Sequence, residues 1–566
     1  MARSMVYRLE HSAMFPAEKT ATVESYLKGI KRELILRTGS YLSAFDKKNP
    51  AVRDNFTVLS KWFNAENNGF ANDIYKELKR LDKKENRETI ILNIYTTLKL
   101  LEKGFHQKDD ENLTNTEIEK RIFKAYLLLN EIDNNKDNDI FKSLEDQEKD
   151  IKWPLLVFTQ TFRYADISNY SLREVYSEQL VKATQFFKFL EKKYPNELKY
   201  FVSHYDCSTW QEFIQKLFPL LRICANSKEG FTEINVNEGE LMKRDIDFID
   251  KFAFSDETEE LKDLDFVSLR SKPLIKVSEK SYRVIYDLFV FEKVFNGIFF
   301  TLRNMPGMNL DKLKNIFTFQ FSEKTLLYYV LKNIYSYQIR QFSGEELDNK
   351  KIKGAPDYYI RKRNKILLFE SKDVVLNSVI KESTSFKAYE AEIQKKLYFE
   401  EKDGVIKQKA IIQLINNITE ILKGSIKYDK VKKGLKIYPI IVVHHRQLNV
   451  AGLNQLLNVW FKKELKKLEA QNLDTKRVAP LTVINISTLI FYADYFALKK
   501  YSIEKMIDRY HRASRLDNIK AKDREDLERQ LLRSVYPFSM FISNQIKRKG
   551  KDSLLNKNIR FMVGKV

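Results

Sequence analysis

Chain breakers are scarce in this sequence, with 16 glycines and 11 prolines among 566 residues. A backbone so rarely interrupted favours long helices over a turn-rich β architecture, because glycine and proline end helices and permit tight turns. The length exceeds what one hydrophobic core ordinarily holds, so about three or four domains are expected. Hydrophobic residues make up 43% and charged residues 31%. That balance excludes a disordered chain or a membrane protein and implies well-packed cores.

The periodicity changes along the chain. Segments such as 89–103, TIILNIYTTLKLLEK, repeat apolar residues at three- and four-residue spacing and predict helices over roughly 20–105. Two polar runs, HQKDDENLTNTE at 106–117 and NEIDNNKDND at 130–139, read as loops on either side of one short helix. From Trp153 to Cys224 the pattern is helical and strongly aromatic, punctuated by Pro154, Pro195 and Pro219. Beyond Asn309, helical stretches alternate with short, β-branched apolar runs. A helix is predicted from Ser322 to Ile334 and strands near Tyr337–Phe342, Asp357–Ile360 and Lys365–Glu370. A helix over Lys407–Leu422, a strand over Leu435–Val443, a helix over Gly452–Leu468 and a strand over Leu481–Ile486 follow. This order implies a mixed sheet covered by helices. The expected organisation is multidomain, α plus α/β. It comprises a large helical region at 1–230 for sensing, docking or oligomerisation, and a mixed linker at 231–309. An α/β domain at 310–495 and a helical, basic C-terminal region at 496–566 complete it.

The passage GAPDYYIRKRNKILLFESKD, Gly354 to Asp373, carries the chemistry. Side chains alternate along a strand, so Leu368, Glu370 and Lys372 share one face. A turn centred on Arg363-Asn364 folds the preceding strand back as a hairpin. Antiparallel pairing then brings Asp357 to within about one residue of Glu370 across the ladder. Two carboxylates so close stay ionised together only with a cation between them. Oxygen ligands suit Mg²⁺ or Mn²⁺, and Lys372 is placed to orient a water and offset charge on a phosphoryl group. Glu-x-Lys alone means little here, since it recurs at Glu77/Lys79, Glu191/Lys193 and Glu197/Lys199 on predicted helices. The bland alternative is an exposed strand-end ion pair worth about 0–1 kcal/mol. Context separates this copy from the others: Pro-Asp opens one strand, and Glu-Ser-Lys closes an apolar one after a short turn.

Pro356-Asp357 and Glu370-Ser371-Lys372 together resemble the signatures of the PD-(D/E)xK, or restriction-endonuclease-like, nuclease superfamily. That resemblance extends over Ser322 to Val443 and leaves the first three hundred or so residues unaddressed. It implies a core of helix, three-strand meander, helix and strand. It further implies metal ligation by Asp357, Glu370 and the Ser371 carbonyl, with Lys372 as the catalytic lysine. Glu323 fits the family's additional acid on the helix before the meander, since Leu326, Leu327 and Val330 follow at buried-stripe spacing. Its plainer role is a carboxylate at the positive end of a helix dipole. Glu292, in FVFEKVF, is the rival for that position. Gln413 matches a glutamine that some members carry on the helix after the meander, although Asn417 stands where some subfamilies have an aromatic residue. His444 and His445 end a strand on opposite faces and read as strand-edge histidines rather than a joint site.

The formal net charge of +22, from 99 Lys and Arg against 77 Asp and Glu, favours a polyanionic partner. The C-terminal 541–566 hold Lys547, Arg548, Lys549, Lys551, Lys557, Arg560 and Lys565 against Asp552. Two cysteines, Cys207 and Cys224, supply no disulfide framework. With no secretory leader and no apolar stretch of about 18 residues, a cytoplasmic protein away from membranes is expected. The expected function is Mg²⁺- or Mn²⁺-dependent hydrolysis of DNA, with RNA as a lesser candidate, in a setting analogous to anti-phage or mobile-element proteins. The competing expectation is a non-catalytic scaffold that binds nucleic acid or a protein partner through the same fold.

Overall fold

The computed structural model describes residues 6–48, 54–107, 113–145, 147–163, 165–168, 170–227, 230–236, 245–254, 266–335, 339–430, 434–547 and 552–563. They form a mixed, predominantly helical α/β molecule of two compact units. Each unit is discontinuous: Arg3–Asp139 joins Val202–Gly297, and Ile140–Phe201 joins Ile298–Val566.

In the first unit, helices enclose a short parallel pair, Val6–Arg8 with Glu88–Ile90. The polar run 130–139 is not a loop: a single helix, Asn115–Lys142, continues through it. Its polar side chains serve the strand ends. Asn130 Nδ2 donates to the carbonyls of Leu9 (3.2 Å) and Ile91 (3.0 Å), and Asn134 Nδ2 to that of Arg8 (2.9 Å). Asp133 pairs with Lys99 and Asp137 with Arg8. Composition suggested a loop, but the buried Asn130, Asp133 and Asn134 have partners that make burial in a helix tolerable, and the remaining polar side chains reach the surface. The region 231–309 is likewise no linker. It contributes a four-stranded sheet in the order Glu233–Asn235, Ser281–Val284, Leu274–Ser278, Ala253–Phe254, together with short helices such as Asp287–Phe291 and Asn296–Arg303. Strands this short hold too few residues for alternation to show in sequence.

The second unit is built on a five-stranded sheet. Its strands are β1 (Arg340–Ser343), β2 (Tyr358–Lys362), β3 (Lys365–Lys372), β4 (Lys436–Val443) and β5 (Thr482–Asn485), in spatial order β5-β4-β3-β2-β1. The first three form an antiparallel meander, while β4 runs parallel to β3 and β5 parallel to β4. Residues 337 and 338 of the expected Tyr337–Phe342 strand lie outside the described residues. Helices α1 (Lys149–Phe162), α2 (Leu172–Lys193), α3 (Leu327–Ile334), α4 (Ala410–Lys423), α5 (Leu453–Ala470) and α6 (Ile503–Ala513) surround the sheet. Strands β3 and β4 are buried on both faces, which is why they read as near-continuous apolar runs. One core joins Tyr359, Leu368 and Ile441 to Leu414 of α4, Leu457 of α5 and Phe158 of α1.

Three boundaries differ from expectation. Lys407 and Gln408, expected to open a helix, instead end the strand Val405–Gln408, which pairs with Phe399–Lys402 as a small hairpin, and α4 begins at Ala410. Helices α1 and α2, assigned by position to an N-terminal region of 1–230, belong to the unit that carries the sheet. The helical segment 496–566 also belongs to this unit. Asp508 of α6 accepts from Lys436 (2.7 Å) and Tyr438 (3.0 Å), and Asn558 bonds Gln185 (2.7 Å). Arg548, Lys549, Lys551 and Lys565 of the basic tail lie outside the described residues.

Candidate functional site

The hairpin β2–β3 turns through Arg363 and Asn364, with Lys362 opposite Lys365 and Arg363 in the left-handed region at φ 57°. The ladder runs to Tyr358 opposite Phe369, so its next step faces Asp357 with Glu370. By pleat alternation these two acids share the face of Tyr359 and Leu368, beneath α4. Lys372 closes the group, with Nζ 3.5 Å from Glu370 Oε2 and 3.8 Å from Asp357 Oδ2. Glu370 is 2% exposed and Lys372 14%, whereas Asp357 retains 32%, so the cluster opens to solvent on the Asp357 side.

Ser371 is held from two directions. Its N–H donates to Asp357 Oδ2 (2.7 Å), and its Oγ lies 2.7 Å from His444 Nε2. The N–H and C=O of one strand residue point to the same edge. The Ser371 carbonyl therefore faces the edge occupied by Asp357, just past the first residue of β2.

Glu323 joins the group from the helix side. The helix does not start at Ser322: a turn at Leu310–Lys314 leads into a π-helical stretch, Asn315–Leu326, which continues into α3. Glu323 thus sits in mid-helix, far from any positive dipole end, which removes the plainer role considered for it. Its Oε1 accepts from the backbone N–H of Asp373 (3.3 Å).

Burial, then Asp357, pushes the Glu370 carboxyl well above the usual carboxylate range, with Lys372 opposing. Burial also pushes Glu323 up to about 7, again against Lys372. For Lys372 burial works against the ammonium, but Asp357, Glu370 and Glu323 outweigh it and hold the pKa above the ordinary lysine value. The cluster has more acid than its single lysine neutralises, a deficit that an added cation would relieve.

Among the described residues, no three or more His, Cys, Asp or Glu side chains form a protein-only metal cage. Mg²⁺ and Mn²⁺ rarely need one, since one or two carboxylates complemented by water and substrate phosphate suffice for Mg²⁺. Two facing carboxylates, an inward carbonyl and nearby Glu323 fit that requirement.

The remaining candidates separate. Gln413 lies half-buried on α4; among the described residues its Oε1 has no hydrogen-bond partner, and it makes none to Asp357, Glu370 or Lys372. Glu292 is in the first unit, paired with Arg270 (3.1 Å), and is not part of this group. His444 is no strand-edge residue. It is buried one step past β4, and burial holds its pKa well below the usual histidine value. His445 turns the other way and accepts from the N–H of Gln447 (3.3 Å).

Sequence reasoning missed the support behind Ser371. Lys182 Nζ donates to the His444 carbonyl (3.3 Å) and to Glu178, both buried on α2. Burial opposes ionisation of Glu178, but Lys182 and Arg446 lower its pKa overall. A signal was present: Val175, Glu178, Lys182 and Phe186 share one helical stripe, and two charges on a core stripe imply an internal pair. In comparisons with known proteins, no family model, no curated protein and no solved structure matches this chain.

Proposed function

We propose that the chain is a metal-dependent nuclease that hydrolyses phosphodiester bonds, with DNA as its substrate. The observation that carries this reading is the convergence of Asp357, Glu370 and Lys372 at one open corner of a mixed sheet. The order of helix, three-strand meander, helix and parallel strand around that corner supports it, as does the net charge of +22. Asp357, Glu370 and the Ser371 carbonyl would hold Mg²⁺ or Mn²⁺, with Glu323 beside them. When bound, such an ion polarises a phosphoryl oxygen and makes hydroxide available near neutral pH. Lys372, whose ammonium form the three surrounding acids favour, would donate hydrogen bonds at this corner. It orients the attacking water and offsets charge accumulating on the phosphorane. His444 and Asp357 hold Ser371, and with it the direction of its carbonyl.

The test is cleavage of duplex and single-stranded DNA and of RNA with Mg²⁺ or Mn²⁺, comparing wild type with Lys372→Ala. A loss of at least about 10²-fold in rate, the scale of removing one charge-stabilising donor, is expected. Cleavage that survives the substitution rejects this site. A second reading, a binding scaffold, draws on the reach of Lys372 to both acids, which partly neutralises the cluster without any ion. Nucleic-acid binding with no cleavage under any metal would select it.

A further inference from the structure

A cleft of about 580 Å³ in the second unit is lined by Arg509, Arg512, Ala513, Arg515, Phe541 and Gln545. Arg509 and Arg512 stand one turn apart on α6, and Arg515 follows just past its C-terminal end. All three arginines are exposed. The acids of the same helix are committed elsewhere, Asp508 to Lys436 and Tyr438 (2.7 and 3.0 Å) and Glu504 to Lys362 (3.1 Å). Behind the cleft, His511 is bonded to Thr482 (2.8 Å), and burial drives it down to about 4 against the opposing pull of Asp508. The bland account is that basic residues near a helix C-terminus offset its dipole. That account needs one or two such residues, not three around a concavity.

The chemistry of the lining narrows the ligand. Guanidinium forks match the paired oxygens of phosphate. Phe541 is a buried wall engaged with Tyr510 (5.5 Å, 61°), so it offers no free face to a base. Gln545 can meet a base edge, but one amide specifies little, and each arginine fork fits phosphate as well as it fits guanine. We propose that this cleft is a docking site for the phosphodiester backbone of a nucleic-acid strand. It grips the strand chiefly through its phosphates and keeps the polymer on the unit that carries Asp357, Glu370 and Lys372. The inference rests on the nuclease reading for the polymer's purpose, not for its binding.

The experiment measures binding of the full-length protein to labelled single-stranded and duplex oligonucleotides over a range of salt, for wild type and Arg509→Gln/Arg515→Gln. Affinity is expected to fall by about tenfold or more. The log–log salt slope should become shallower by about 0.9 per lost contact on duplex and about 0.7 on single strands. Both side chains are exposed, so an unchanged melting temperature verifies the fold, and Arg509→Lys/Arg515→Lys should recover most of the salt slope. Unchanged affinity and slope in the glutamine variant overturn the proposal. So does tight binding of pyrophosphate or a nucleoside triphosphate that oligonucleotides fail to displace. Lys372→Ala should keep the contribution of Arg509 and Arg515 to binding and its salt slope while losing cleavage. Arginine-dependent binding without cleavage by any variant would therefore remove the nuclease reading and leave the docking site standing.

Discussion

Lys293 lies buried in the first unit, where its Nζ donates to the carbonyl of Ser271 and Glu292 is the nearest charge acting on it. Burial lowers its pKa to about 7, against the pull of Glu292. An unfolded lysine titrates near 10.4. Between those values the unfolded chain binds more protons, so stability rises with pH across that window; below about 7 both states are protonated and the penalty is constant. Each unit of displacement corresponds to about 1.4 kcal/mol, so the effect is of the order of a few kcal/mol. Thermal melts from neutral pH to pH 9 should rise for wild type relative to Lys293→Met, whose profile should be flatter. Parallel profiles would show that the ammonium is solvated. At this scale the convergence of Asp357, Glu370 and Lys372 was legible, because they are related by pleat alternation and one tight turn. Lys293 was not, since its environment comes from segments that its own neighbours do not announce.

Gly452 caps α5 at φ 82°, with its N–H donating to the carbonyl of Val535 (2.9 Å). A Cβ there would meet the carbonyl oxygen of Pro154 at 2.2 Å and Phe158 Cβ at 2.8 Å, both on α1. Gly452→Ala must therefore push α1 off α5 as well as strain the backbone. The expected cost is about 2–4 kcal/mol, read as a lower urea midpoint with unchanged slope. A midpoint equal to wild type would mean that α1 is not seated on that cap. Elements with a strong single period were legible: β3, β4, α4 and α5 fall within a few residues of expectation. The run 130–139 was misread because its buried polar residues, Asn130, Asp133 and Asn134, are bonded internally. The hairpin 399–408 was missed because four-residue strands leave too little pattern. The π-helical stretch before α3 has no sequence signature of its own. It shifts which residues face the sheet, and Glu323 rides on it.

Each unit draws on two separate stretches of chain. For the second, Ile140–Phe201 supplies Phe158 and Phe162 to the sheet's core and the Glu178–Lys182 pair beneath His444. A fragment of residues 298–566 should therefore aggregate or melt without cooperativity, and co-expression with residues 140–201 should restore a cooperative transition. Gel filtration and calorimetry would check this, and a fully stable 298–566 fragment would refute it. No described helix is long and apolar enough to cross a membrane. The sequence alone determined what depends on near neighbours: helical predominance from scarce breakers, the β2–β3 hairpin, and two acids and a lysine brought to one strand end. Pleat and turn geometry act over a dozen or so residues, and that range is written locally. Tertiary structure alone decided which distant groups complete the site. Glu323 reaches Asp373 from 50 residues away, His444 reaches Ser371 from 73, and Lys182 reaches His444 from 262. Such meetings follow from how whole helices bury their apolar faces against the sheet, a competition among all segments that no local period encodes.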